Sequence, residues 1–180
     1  MPILSFKREI PVRHRVDIFV AGGGPAGVAA ALAATRQGAD VFIAEGQASF
    51  GGMGTEGLVP AFMRFTDGIH FLADGVGREI YERMKAEGQV PDSVDRPAAS
   101  VSIDVEALKR AYDTLMEASG AEFTFHTQVI GVEAESGHVT HAICAAKSGL
   151  FAVQADLFVD GTGDGDLAVW AGAPFEKGDE

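Results

Sequence analysis

Residues 16–45, VDIFVAGGGPAGVAAALAATRQGADVFIAE, constrain the fold more than any other stretch. An apolar strand, spaced glycines, an alanine-rich helix and an acidic strand end follow one another in register. Val16–Ala21 carries a single charge, Asp17, and such a continuous apolar run suits a parallel strand covered on both faces. Gly22, Gly24 and Gly27 then fill the G-x-G-x-x-G spacing. Gly22 permits a tight turn, Gly24 lets backbone approach a pyrophosphate, and Gly27 lets the following helix lie close to the strand. Pro25 and Ala26 open that helix, where a proline's missing N–H costs nothing and the remaining free N–H groups favour phosphate. Gly38 stops the helix and Ala39–Ala44 reads as a second strand. Glu45 then stands about twenty residues past Gly24, the place of an acid that accepts hydrogen bonds from ribose hydroxyls. Its carboxylate repels a 2′-phosphate, so the expected ligand is a dinucleotide without one.

At 180 residues, 47% of them hydrophobic and 22% charged, the chain is the size of one domain and can bury a core. The net charge of -12 argues against nucleic acid or an anionic membrane surface as partner, because basic patches supply most of that affinity. No run of about eighteen apolar residues is present, and the opening MPILSFKREIPVRHR lacks a signal peptide's apolar core, so a cytoplasmic location is expected. Cys144 has no second cysteine to pair with and reads as a small apolar strand residue. The histidines, His14, His70, His126, His138 and His141, show no H-E-x-x-H spacing, and no metal site is expected.

Along the chain, residues 1–15 read as an arm or edge strand. GQASFGGMGTEGLVP after Glu45 reads as a glycine-rich loop. Leu72, Val76, Ile80 and Met84, with Tyr81 beside them, predict an amphipathic helix over 68–87 that Gly88 ends. Residues 89–100 read as a connection. Asp104 is placed to cap a helix whose apolar face is Val105, Leu108, Tyr112, Leu115 and Met116, with Gly120 as its stop. A third strand is expected at Glu122–His126. Short strands at Val129–Glu133, Val139–Ala146 and Leu150–Val153, joined by tight turns, then predict an antiparallel meander. A last buried-type strand, Leu157–Asp160, enters another glycine turn. A purely nicotinamide-binding domain would continue with alternating strands and helices instead of a meander.

At this point the chain resembles the flavoprotein oxidoreductases of the glutathione-reductase-like superfamily, and within it the FAD dependent oxidoreductase group related to fumarate reductase flavoproteins. The resemblance runs over nearly the whole chain. GGGPAG at 22–27 with Glu45 is similar to the family's site for the pyrophosphate and adenosine ribose. FGGMGTEGLVP at 50–60 resembles its second glycine loop, which implies roles near the pyrophosphate and flavin for Gly51, Gly52, Met53, Gly54 and Thr55. The residue opening the meander meets adenine in such proteins, and Gln128 or Val129 stands there. LFVDGTGDGDLAVWAGAPFEKG resembles the family's A-T-G-D turn with Gly161 in place of the common alanine, which carries Thr162, Gly163 and Asp164 over as cofactor-proximal. The resemblance implies an α/β, Rossmann-like FAD-binding domain with a parallel sheet and a three-stranded meander. Family members continue further, so residues 1–180 are expected to be the N-terminal FAD-binding portion of a larger flavoprotein. Residues 50–100 would form its glycine loop and helical insertion, and the substrate domain would be absent.

The function so implied is flavin-mediated hydride or electron transfer on a small organic substrate. Glu56, Arg64 and His70, near the second glycine loop, are the candidates for handling a proton or an anionic substrate. Their plain alternatives are a solvated loop carboxylate, a surface or ion-paired arginine and an exposed histidine. Asp164 and Asp166 read as cofactor contact or capping groups rather than a metal pair. Two other functions stay open: an NAD-linked dehydrogenase domain, and a non-catalytic nucleotide-binding subunit whose site a second copy or a complementary chain completes. An exposed apolar cluster of Phe50, Leu58, Val59, Phe62, Met63 and Phe65 is the feature that would favour the last.

Overall fold

The computed structural model describes residues 3–59, 61–67, 69–89 and 101–178. Its elements in chain order are β1 (Val12–Ala21), α1 (Pro25–Arg36), β2 (Val41–Ala44), a 3-10 turn at Gly52–Gly54, β3 (Ala61–Phe62) and α2 (Gly75–Ala86). They continue with β4 (Val101–Ser102), α3 (Val105–Ser119), β5 (Glu122–Thr124), β6 (Gln128–Glu135), β7 (His138–Ala146), β8 (Gly149–Asp160) and α4 (Asp166–Trp170). A six-stranded sheet in the order β5-β2-β1-β8-β7-β6 carries the fold, and β3 and β4 form a separate two-stranded ribbon. The β5, β2, β1 and β8 strands run parallel, while β6 and β7 add to β8 in antiparallel fashion. The α/β class with a parallel sheet and a meander is therefore the observed one.

The meander is not a separate sheet. Leu150–Val153 and Leu157–Asp160, expected as two strands, are parts of the continuous twelve-residue β8. The polar break at Gln154 and Asp156 is the solvated side of one strand, since both are exposed while Ala155 between them is buried. β8 can stay continuous because it is paired on both edges, with β7 along its first half and with β1 from Ala152 to Asp160.

Alternating side chains of β1 and β2 enter two cores. Val20 and Ile43 pack with Val28, Leu32, Tyr81, Met84, Leu108 and Tyr112 under the helices. Phe19 and Phe42 face the other way, against Ala142, Cys144, Phe151 and Val153 from the antiparallel end. Cys144 is fully buried there, and burial pushes its thiol up to about 12.

Three boundaries differ from expectation. Residues 12–15 belong to the central strand β1, not to an edge, and residues 3–11 form no regular element. α2 starts at Gly75 rather than 68: the Asp67 carboxylate accepts hydrogen bonds from Ile69 N–H and His70 N–H, and Leu72 N–H bonds back to Phe65, a local turn that competes with helix. β5 stops at Thr124 because His126 takes a left-handed φ of 50°. Of the apolar cluster expected to be exposed, Phe50 is fully buried and Phe62 and Phe65 pack on the helical core, whereas Leu58, Val59 and Met63 are exposed. The expected connection at 89–100, apart from Gln89, lies outside the described residues. Among the described residues no helix is long and apolar enough to cross a membrane.

Candidate functional site

The parallel strands β1, β2 and β8 all end at one side of the sheet, and a cleft of about 840 Å³ opens beyond Ala44 and Asp160. Ligands of open parallel sheets bind at that side, outside the carboxyl ends of the strands. Three turns and the start of the meander form its walls.

The first wall is the turn from β1 into α1. Gly22 holds a φ of 90°, and a Cβ there would stand 2.5 Å from the Gly161 carbonyl oxygen, so two glycine turns interlock side by side. Gly27 packs beneath: a Cβ on it would run into the Gly22 carbonyl oxygen. Gly24, by contrast, has no protein atom within 4 Å of its missing Cβ, and it lines the cleft with Pro25 and Ala26. Gly24 is the N-cap of α1 and supplies no side-chain cap, and the first helical bond runs from Val28 N–H to Gly24. The Ala26 and Gly27 N–H groups therefore have no partner within the helix, and no acidic side chain sits in that first turn. A helix start of this kind can seat an anion, and nothing from the helix fills the place.

Glu45 leaves β2 at the next wall. Its carboxylate is buried, accepting from Gly23 N–H at 2.5 Å and from Gln47 N–H at 2.6 Å. Each oxygen retains a lone pair, and the side chain lines the cleft, so hydroxyl donors from a ligand can be accepted there. The segment entering β6 crosses over this strand end through Thr127 N–H to the Glu45 carbonyl and His126 N–H to the Gln47 carbonyl. It brings Gln128, whose side chain lies over Gly46, and Val129 to the rim.

The third wall follows β8. Asp160 accepts from Thr162 Oγ1 at 2.7 Å, Thr162 N–H at 3.1 Å and Ala168 N–H at 2.9 Å. Partial burial opposes its ionisation, but the hydrogen bonds from Ala168 and Thr162 outweigh it and hold the carboxyl below its ordinary range. Thr162 Oγ1 in turn accepts from Gly165 and Asp166 N–H groups, both at 3.1 Å. Thr162, Gly163 and Asp164 line the cleft in this stiffened turn. Gly161 has little room for the family's alanine: a Cβ would stand 3.0 Å from the Ala21 oxygen and 3.1 Å from that of Gly22.

From the second glycine loop, Gly52 and Met53 reach the cleft, and Gly51, Gly54 and Thr55 do not line it. Thr55 is fully buried, and its hydroxyl donates to the Phe50 carbonyl at 2.7 Å. Of the three reactive candidates none lines the cleft. Glu56 is bonded to Ser49 and Lys109, Arg64 is exposed, and His70 is exposed beside Asp67 at 3.4 Å. Sequence reasoning missed Gln47 and Asp160; the rule that ligands meet the carboxyl ends of parallel strands points to Asp160, the last residue of β8.

An uncapped helix start, open space where Gly24 lacks a Cβ and a carboxylate with free lone pairs fit the pyrophosphate and ribose of a dinucleotide. No curated protein matches the sequence. Among solved structures, the chain is similar to an L-proline dehydrogenase from P. horikoshii, with 15% identity, a TM-score of 0.63, and 93% of this chain and 58% of that one covered. A 3-ketosteroid-delta4-(5alpha)-dehydrogenase from Rhodococcus jostii RHA1 matches at 16% identity and a TM-score of 0.57, covering 82% of this chain and 46% of that one. The open conformation of a flavocytochrome c3 fumarate reductase matches at 19% and 0.55, covering 83% and 34%. The chain thus spans between about a third and three fifths of these proteins' lengths, and at such identities the likeness is one of fold. Residues 17–180 match the family described as FAD dependent oxidoreductase, and with nearly the whole chain matched the protein belongs to that family, whose cofactor is FAD.

Proposed function

We propose that these 180 residues are the FAD-binding portion of an oxidoreductase acting on a small organic molecule. The observation that carries the reading is the uncapped N-terminus of α1 facing the cleft, with Gly24 leaving room for a phosphate. In this reading Gly22 and Gly27 shape the first turn, and Gly24, Pro25 and Ala26 present backbone to the pyrophosphate. Glu45 accepts the adenosine ribose hydroxyls, and Gln128 and Val129 border the adenine. Gly52 and Met53 meet the cofactor directly, with Gly51, Gly54 and Thr55 holding their loop behind them. Thr162, Gly163 and Asp164 close the opposite wall. When bound, FAD supplies hydride or electron transfer at its isoalloxazine ring. The chain's own part is to bind, orient and exclude water. Glu56, Arg64 and His70 stay outside that cleft, so no residue of this chain is assigned a proton-transfer role.

A cytoplasmic location belongs to the same proposal. Cell fractionation tests it. For the cofactor, the purified chain is mixed with FAD, freed of unbound ligand and scanned from about 300 to 550 nm, where a pyrophosphate-anchored flavin would be retained. A retained flavin spectrum that Glu45→Ala weakens supports the reading. A colourless protein that ignores added FAD yet binds NAD refutes it in favour of a nicotinamide site.

A further inference from the structure

The second glycine loop is closed at its base by side chains that do not line the cleft. Ser49 Oγ donates to Glu56 Oε1 at 2.6 Å, joining residues on either side of the loop. Lys109 of α3 reaches the same Glu56 oxygen at 3.7 Å and holds Glu106, a turn earlier on its helix, at 3.2 Å. Between the closing residues the chain is internally bonded, by Thr55 Oγ1 to the Phe50 carbonyl, Gly57 N–H to Gly52 and Val59 N–H to Met53. A loop knitted in this way is a compact unit packed by its own residues. One side lies on α3, where a Cβ at Gly54 would meet Leu108 Cδ2 at 3.0 Å. The other side presents Gly52, whose missing Cβ would lie 3.2 Å from Gly24 Cα and 3.5 Å from Pro25 Cδ.

Exposed ion pairs contribute little to stability, and this one differs in placement. Ser49 is buried, and the Lys109 and Glu56 side chains are only 26% and 32% exposed. The Ser49 hydrogen bond lowers the Glu56 carboxyl against its partial desolvation, with Lys109 and His126 acting in the same direction. Glu106 and Glu56 raise the Lys109 ammonium, so both members stay charged through neutral pH.

We propose that Ser49, Glu56 and Lys109 form a clasp that positions the Gly52–Gly54 turn against Gly24 and Pro25, so that side chains outside the cleft set part of the cofactor affinity. The affinity half rests on the reading of the cleft as the FAD seat. The test combines amide hydrogen exchange over residues 51–59 with FAD titration by flavin absorbance, on the full chain and on Ser49→Ala, Glu56→Ala, Lys109→Met and Lys109→Arg. Exchange at Gly57 and Val59 should quicken about three- to tenfold in Glu56→Ala and Lys109→Met, with α1 and β1 unchanged, and FAD affinity should fall by a similar factor. Lys109→Arg, which keeps the cation, should behave as the parent in both readouts. Unchanged loop exchange in Glu56→Ala and Ser49→Ala overturns the positioning claim, and unchanged FAD affinity with a quickened loop overturns the affinity claim. A parent chain that takes no FAD refutes the cofactor reading and the affinity claim with it, while exchange still decides whether the clasp holds the turn.

Discussion

Two glycines of one motif should fail in opposite ways when each is replaced by alanine. At Gly27 the new Cβ would run into the Gly22 carbonyl oxygen and stand 3.0 Å from its carbon and 3.3 Å from Val20 Cγ1. The strand cannot yield, because β1 is paired on both edges. Overpacking against backbone costs about 3 kcal/mol, and alanine's better helix propensity returns about 1, leaving about 2 kcal/mol of destabilisation. For a chain of this size that lowers Tm by about 4–8 °C. At Gly24 the Cβ meets nothing within 4 Å, and φ -66°, ψ -179° is extended backbone open to alanine. Alanine is a poorer N-cap than glycine but restricts the unfolded chain, two effects each of about 1 kcal/mol or less and opposite in sign. Tm should therefore move by less than about 3 °C. The same methyl enters the space proposed for phosphate and breaks charge-assisted bonds to the helix N–H groups, a loss of about 3 kcal/mol or roughly a hundredfold in FAD affinity. Thermal melts of the cofactor-free protein and an FAD titration of each variant make the assay. A Gly24→Ala protein that binds FAD like the parent would refute the helix-terminus seat, and a Gly27→Ala protein that melts with the parent would refute the packing argument.

Asp104→Ala removes the carboxylate that accepts Ala107 N–H at 2.8 Å at the start of α3, a cap worth about 1 kcal/mol, and should lower Tm by about 2–4 °C in a thermal melt. Cys144, buried with its thiol near 12, should resist a thiol reagent at pH 8 in the native protein and react only after denaturant is added; native labelling at the rate of a free thiol contradicts the burial. Asp160→Ala loses the hydrogen bonds that tie the end of β8 to the Thr162 turn and to Ala168 of α4, and should cost about 2 kcal/mol at pH 7, discounted for partial exposure. Because the folded carboxyl is lowered, the charge-dependent share of that stabilisation is present above its ordinary value of 3.8 and is lost as pH falls through the folded value, so the gap between the melts of parent and variant should start to narrow only below about pH 4.

How much of this molecule can be read from its sequence depends on what kind of group does the work. The first turn is legible because its constraint falls on backbone: an interlocked turn at Gly22 and a close approach at Gly27 each exclude a side chain, Gly24 between them leaves space open on the cleft side, and together they leave a spacing behind. Asp104 and Gly120 are legible for a like reason, one bonding Ala107 N–H and the other taking a φ of 79° at the helix end. β8 misleads because the solvated Gln154 and Asp156 resemble a turn until both neighbouring strands are known, and the start of α2 misleads because Asp67 offers the chain a competing turn. Glu56 is the sharpest case. Its carboxylate looks available in sequence, and only the fold brings Ser49 to it across the loop and Lys109 from a helix more than fifty residues away. A seat built from backbone repeats a pattern that can be recognised, whereas a proton donor or acceptor is one side chain whose availability depends on distant partners. That difference is why the glycine walls of the cleft were foreseeable and why Glu56, Arg64 and His70 all fall outside it.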